Sequence, residues 1–162
     1  MSKFHTRIDV FNFIRGGNAV FTIKSLKTGK HFTYKVTQKQ VEDYDGKKIR
    51  TGQFFVRVLA GPNNQDWDAS QYIGFMRSLW MVDYKLEAKG PLIAGKKGNK
   101  EAPSFIALEW LLKKLCAISD TDCIDDWSVE VMHEGRCCRC SRALTHPDSI
   151  KSGIGPECAK RA

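Results

Sequence analysis

Long apolar runs are missing from this 162-residue chain. The longest, near Leu79 to Val82, is far short of the roughly 18 residues that cross a bilayer as a helix. The opening Met1-Ser2-Lys3-Phe4-His5-Thr6-Arg7 lacks the charged-then-apolar order of a secretory signal. There is no Gly-x-Ser-x-Gly elbow, no P-loop and no dinucleotide fingerprint, which sets aside the enzyme classes that depend on them. Internal repeats and low-complexity tracts are absent. Histidine is scarce, with four in the chain, and His5 and His31 stand isolated, which points to surface or strand positions. These gaps predict a cytoplasmic, non-enzymatic protein without a membrane helix, in a compartment where disulfides are rare and clustered cysteines more often bind metal.

Acid is also in short supply. The chain holds 18 Asp+Glu against 26 Lys+Arg, a formal charge of +8. The excess is uneven: residues 1–102 carry 18 basic and 9 acidic side chains, 103–135 carry 2 and 7, and 136–162 carry 6 and 2. Two basic regions therefore flank an acidic one. Such excess favours polyanions through counterion release without identifying the partner. Hydrophobic residues at 42% and charged residues at 27% are ordinary for a folded chain of one domain, or one domain with a small appendage.

What is present begins with strand signals. Ala19, Phe21 and Ile23 alternate, Thr28-Gly29-Lys30 marks a turn, and Phe32, Tyr34 and Val36 resume on one side, which predicts a hairpin. Tyr44-Asp45-Gly46-Lys47 is a second turn, 53–60 a third strand closed by Gly61-Pro62-Asn63-Asn64, 72–76 a fourth, and 79–87 a candidate fifth. Residues 1–18 read as a lead-in ending at the Gly16-Gly17-Asn18 turn, and 89–100 as an exposed loop. Phe105, Leu108, Leu111, Leu112, Leu115 and Ile118 then fall at helical spacing behind Ser104 as cap. Residues 127–132 read as a short strand. The expected fold is α+β: an antiparallel meander, curled or closed into a small barrel, packed by one helix over about 104–118, with a C-terminal zinc-knuckle module. The expected division is 1–130 and 131–162.

Chemistry concentrates in that tail. Cys137 and Cys140 have the Cys-x2-Cys spacing of a knuckle, in which backbone N–H groups face two thiolates on one side of a metal, and Cys158 lies eighteen residues on. A tetrahedral zinc(II) site needs a fourth ligand; His133 is the first choice, and Cys138 and His146 are the alternatives. Iron–sulfur ligation would more often show four cysteines. Glu134 and Glu157 are more simply solvated charges than partners of a catalytic zinc, and Cys116 and Cys123 fall outside the site. The acidic stretch 120–126 lacks the central glycine and terminal glutamate of a calcium loop. Phe54, Phe55, Tyr72, Phe75 and Trp80 would suit a stacking platform for single strands, although at sheet spacing such residues are more often core.

Gly153-Ile154-Gly155-Pro156 resembles the hairpin and second helix of helix-hairpin-helix DNA-binding motifs, whose backbone N–H groups meet a phosphate. The simpler reading is that the glycines turn the chain so that Cys158 returns to the metal. The whole run from His133 through Cys137, Cys140, Leu144, Pro147-Asp148-Ser149-Ile150 and the glycine turn to Cys158 resembles a small uncharacterised domain of bacterial and phage proteins. That family's usual text has glycine after the second cysteine, where this chain has Ser141, a departure that strains the knuckle without removing a ligand. The resemblance implies a metal-binding C-terminal module and a phage or mobile-element origin, with the host cytoplasm as location; it implies no activity. The expectation is a non-enzymatic zinc protein that contacts DNA or RNA through Lys96, Lys97, Arg136, Arg139, Arg142, Lys151, Gly153, Gly155, Lys160 and Arg161. The competing expectation is an effector that binds and inhibits a host protein, with zinc serving only the fold.

Overall fold

The computed structural model describes residues 1–59, 70–77, 91–117 and 121–161. Its centre is a seven-stranded antiparallel sheet of β1 (Ser2–Lys3), β2 (Asn18–Ser25), β3 (His31–Glu42), β4 (Lys48–Leu59), β5 (Ser70–Arg77), β6 (Ile93–Ala94) and β7 (Val129–His133). The spatial order is β1-β7-β2-β3-β4-β5-β6, so β2 to β6 form a meander and β7 returns between β1 and β2. The sheet is open, with β1 and β6 at its edges, and does not close into a barrel. The expected fifth strand at 79–87, Trp80 and the turn at 61–64 lie outside the described residues.

The alternation read from the hairpin sets the inner face. Ala19, Phe21 and Ile23 on β2 and Tyr34 and Val36 on β3 are buried, and Phe21 faces Tyr34 in register with ring centroids 5.5 Å apart. Phe54, Val56 and Val58 extend the face onto β4. Among the described residues four helices accompany the sheet: α1 (Arg7–Ile14), α2 (Pro103–Cys116), α3 (Pro147–Ser152) and α4 (Pro156–Lys160). Phe105, Leu108, Leu111, Leu112 and Leu115 of α2 join the sheet's inner face in one apolar cluster, each burial contributing about 1.5–3 kcal/mol. The Tyr34 hydroxyl donates to Ser104 O at 2.6 Å, satisfying a group whose burial would otherwise be costly. The helix begins one residue before the expected Ser104 cap: Ala102 is the N-cap and Pro103 the first residue, where its missing N–H costs nothing.

The lead-in proves to contain α1. Thr6 accepts from the Asp9 N–H at 3.3 Å and caps it, while Val10, Phe13 and Ile14 turn inward. Arg7 Nη2 donates to Lys114 O (3.1 Å) and Leu115 O (2.9 Å), placing a cation at the carbonyl end of α2, where it is favourable. The stretch expected as an exposed loop is partly interior, because Leu92 is buried and 93–94 form an edge strand. The expected division at 130/131 falls inside β7, which pairs with β1 and β2 on its two sides. The tail is thus tied into the sheet at its first residues.

Candidate metal centre and the basic residues around it

Past β7 the chain makes a small hairpin. Gly135 adopts φ +79, Leu144 N–H donates to Gly135 O at 2.7 Å, and Cys137 N–H donates to Arg142 O at 2.9 Å. Ser141 N–H returns to Cys137 O at 3.0 Å, closing the Cys-x2-Cys turn. Ser141 itself sits at φ +63, in the left-handed region that favours glycine, which gives physical content to the strain expected there. Its hydroxyl accepts from Asn18 Nδ2 at 2.6 Å and so offsets part of the cost. Helix α3 follows, capped by the His146 ring, which accepts from Asp148 N–H at 3.2 Å. It ends at Gly153, and α4 carries Cys158 back.

The result brings the sulfurs of Cys137, Cys140 and Cys158 within 4.8 Å of one another. A metal–sulfur bond of about 2.3 Å would separate them by roughly 3.8 Å in a tetrahedron, so the set is close to a coordinating arrangement. Burial raises the Cys137 thiol, but backbone N–H groups of Gly155, Cys140 and Arg139 directed at its sulfur outweigh that and bring it down to about 7. The Gly155 N–H lies 3.4 Å from this sulfur. Cys158 is pushed up to about 11 by burial, then by hydrogen bonds shared with Cys140 and Cys137. The Cys137 and Cys158 thiols are thus driven apart in pKa by their mutual proximity, and a cation that prefers thiolates would relieve the conflict. The donor set fits a metal ion. Cys116 and Cys123 lie outside it.

His133 does not belong to this set, which corrects the first-choice fourth ligand. It is 1% exposed, its Nδ1 accepts from Gly135 N–H at 3.0 Å, and its Nε2 is 2.7 Å from Ile150 O. With Nδ1 accepting, Nε2 carries the proton and donates. Both nitrogens are used, and the ring lies 5.0 Å from Phe4 and 5.3 Å from Phe13. Burial lowers its pKa, partly countered by the bond to Ile150. Cys138 points away from the metal side: a Cβ on Gly16 would come within 2.3 Å of its sulfur, and it belongs to the apolar core. Burial, then the neighbouring Cys137, pushes its thiol up to about 12. His146 also lies outside the three-sulfur set, but it lines the same cavity of about 370 Å³ as the three cysteines, together with Glu157 and Arg142.

In the glycine turn the N–H groups of both glycines already have partners. Gly153 N–H donates to Ser149 O at 2.7 Å, Gly155 N–H is spent on the Cys137 sulfur, and Gly153 is buried. The two glycines expected to bind nucleic acid thus spend their own N–H groups within the protein. Gly153 is required by φ +75 and by Phe13, whose Cδ2 would lie 2.3 Å from an added Cβ. Its carbonyl accepts from Cys138 N–H at 3.0 Å, and Asn18 N–H donates to Cys138 O at 2.7 Å, so the turn docks the knuckle onto the sheet.

The basic residues fall into two places. Lys96 and Lys97 follow β6, with β2, β3, β4 and β5 between it and β7, beside a depression lined by Tyr72 and Phe75. Phe55 meets Tyr72 edge-on with centroids 6.2 Å apart, whereas Phe54 is core. The tail holds the others. Arg136 donates to Ser141 O at 3.1 Å, Lys151 is exposed on α3, and Lys160 pairs loosely with Glu157 at 3.9 Å. Arg139 Nη1 donates to Arg161 O at 3.0 Å. Arg139 and Arg161 line a second pocket of about 500 Å³ with Arg15 and Arg50, which sequence reasoning missed. Burial, and next the charge of Arg139, lowers the Arg50 guanidinium, a sign that the two cations are near each other.

Fold and site together define an open antiparallel-sheet protein with a C-terminal three-cysteine site suited to a metal ion. Residues 129–162, from the start of β7 onward, match the model of a family of unknown function, DUF6011. Nothing among the curated proteins or the solved structures matches the chain. No helix of the described residues is long and apolar enough to cross a membrane.

Proposed function

We propose that this is a non-enzymatic, zinc-containing protein that binds nucleic acid. Zinc would be held by Cys137, Cys140 and Cys158, with His146 as the fourth ligand. The cap bond from Asp148 N–H occupies Nδ1 of His146 and leaves Nε2 for the metal. When bound, the ion neutralises the thiolates and cross-links the tail. Helices α3 and α4 have six and five residues, too short to persist alone, so metal binding there is folding free energy. A catalytic role finds little support, because Glu157, the carboxylate lining the cysteine cavity, is 76% exposed and paired with Lys160.

The nucleic-acid reading rests on one observation. Arg136, Arg139, Arg142, Lys151 and Arg161 take part in no ion pair among the described residues, on a segment with six basic and two acidic side chains. Unneutralised cations held on a stapled scaffold release counterions on meeting a polyanion. Fluorescence anisotropy with mixed-sequence DNA and RNA tests this, and affinity should fall steeply between about 50 and 200 mM salt. No binding at low salt, with a host protein co-purifying in stoichiometric amount, would replace the reading with that of an effector. Native mass spectrometry tests the metal: about one zinc in the wild type, His133→Ala and Cys138→Ala, essentially none in Cys140→Ala, and weakened retention in His146→Ala. Zinc lost from His133→Ala but kept at full strength by His146→Ala would reverse the assignment.

A further inference from the structure

Four arginines from four separate segments line the second pocket: Arg15 just after α1, Arg50 on β4, Arg139 in the knuckle and Arg161 after α4. Asn12 and Gln38 also line it, and no carboxylate among the described residues does. None of the four arginines has an ion-pair partner among the described residues. Gathering cations without acids is unfavourable on its own, yet the surrounding structure holds three of the four side chains. Arg50 Nη1 donates to Gly16 O at 3.2 Å and to Gln38 Oε1 at 3.1 Å. Gly17, at φ +109, leaves room that a Cβ would fill, since it would lie 2.2 Å from that same Nη1. The Arg15 guanidinium rests 4.7 Å over the Phe11 ring. Arg139 is held through Arg161 O, so closure of the pocket depends on the stapled tail.

We propose that this pocket binds a phosphomonoester, the doubly charged terminal phosphate of a nucleic-acid strand. Guanidinium forks match phosphate oxygens in pairs, and a phosphomonoester carries about −1.5 to −2 near pH 7, against −1 for each internal phosphodiester. The pocket is concave and of about 500 Å³, a volume that suits a single nucleotide end rather than the flank of a duplex. The proposal deepens the nucleic-acid reading and rests on it; a free nucleotide would present the same phosphate chemistry.

The test uses the full zinc-loaded chain and one single-stranded oligonucleotide in three forms: 5′-phosphorylated, 3′-phosphorylated and without a terminal phosphate. Anisotropy should show at least tenfold tighter binding of one phosphorylated form. That preference should vanish in Arg50→Gln and in Arg15→Gln, the second being an exposed side chain with no side-chain bond to backbone among the described residues, and persist in Lys27→Gln, in the turn between β2 and β3. Equal binding of all three forms, unaltered by these variants, overturns the pocket and leaves the nucleic-acid reading standing. If no oligonucleotide binds but a nucleoside monophosphate does, with loss in Arg50→Gln and Arg15→Gln, the phosphomonoester site stands and the nucleic-acid reading falls. Binding of neither overturns both.

Discussion

Replacing Gly153 by alanine should destabilise the protein by about 2–4 kcal/mol. Two effects combine. At φ +75 an L side chain costs about 1–2 kcal/mol, less the roughly 0.4–1 kcal/mol that alanine recovers by restricting the unfolded chain. The new Cβ would also lie 2.3 Å from Cδ2 and 2.7 Å from Cε2 of Phe13. Phe13 is 1% exposed and hemmed by Phe4 at 5.0 Å and His133 at 5.3 Å, so it has little room to yield, and overpacking of this kind costs about 1–3 kcal/mol. A double-mutant cycle separates the terms. Phe13→Leu alone should cost an ordinary core amount, about 1–2 kcal/mol. In that background the ring is gone and Gly153→Ala should cost only its backbone share, about 1 kcal/mol. Urea unfolding of the zinc-loaded protein, followed through the fluorescence of its four tryptophans, gives the four corners. A coupling below about 0.5 kcal/mol would refute the argument, since contacting residues should not add so simply. A single variant of wild-type stability with altered oligonucleotide binding would refute it more deeply, because it would return the turn to a phosphate-binding role.

Three further outcomes are expected. Ser141→Gly should be more stable than Ser141→Ala by about 1 kcal/mol in thermal melts, because both lose the hydroxyl bonded to Asn18 and only glycine escapes the φ +63 strain; equal stability would show the position is relaxed. His133 is held neutral, its pKa lowered first by burial, so the unfolded chain takes up its proton at higher pH than the folded one. Its contribution is therefore complete above about pH 6.5 and is lost as pH falls below that value, with a slope of up to about 1.4 kcal/mol per unit. His133→Phe should lose that slope in urea titrations from pH 7.5 to 5, while the acid sensitivity of the metal remains common to both proteins; identical slopes would contradict it. Chelation should release the tail while the meander stays folded, so hydrogen exchange should rise across residues 134–161 and little in β2 to β4. A uniform rise would mean that the metal holds the whole domain.

Much of the sheet was legible because one face carries the apolar core, and the period-2 pattern of Ala19, Phe21 and Ile23 against Tyr34 and Val36 records that, even though Thr22 and Thr33 on the other face are buried as well. Helix α2 was legible for the same reason at a period of 3.6. Helix α1 was hidden because only eight residues carry it, and Phe11 and Phe13 blur its stripe; its stability comes from the Thr6 cap and from Arg7 reaching α2. The cysteine site was legible in part. Cys-x2-Cys spacing is local and reports a knuckle directly, whereas the fourth ligand depends on which way β7 and the turn aim their side chains. His133 was drawn into the core by Phe4 and Phe13, and the two rings come from segments more than 100 positions away in the chain.

The arginine pocket shows where sequence reasoning reaches its limit. Arg15 and Arg50 carry no local signal of a site, the first being a lone cation beside a turn and the second one of three cations with Lys47 and Lys48 at the start of a strand, and the charge count of the tail contains neither. What brings them to Arg139 and Arg161 is the same docking that makes Gly153 indispensable: Phe13 under the glycine turn, Cys138 against Gly16, and Asn18 bonded to Cys138 and Ser141. A metal that staples the tail would then also set the distance between Arg139 and Arg50. Binding at the pocket and occupancy at the cysteines should accordingly be linked, each strengthening the other by the same factor. Zinc affinity measured by chelator competition with and without the phosphorylated oligonucleotide reads that factor, and no change in either direction would mean that the tail reaches the sheet without its metal.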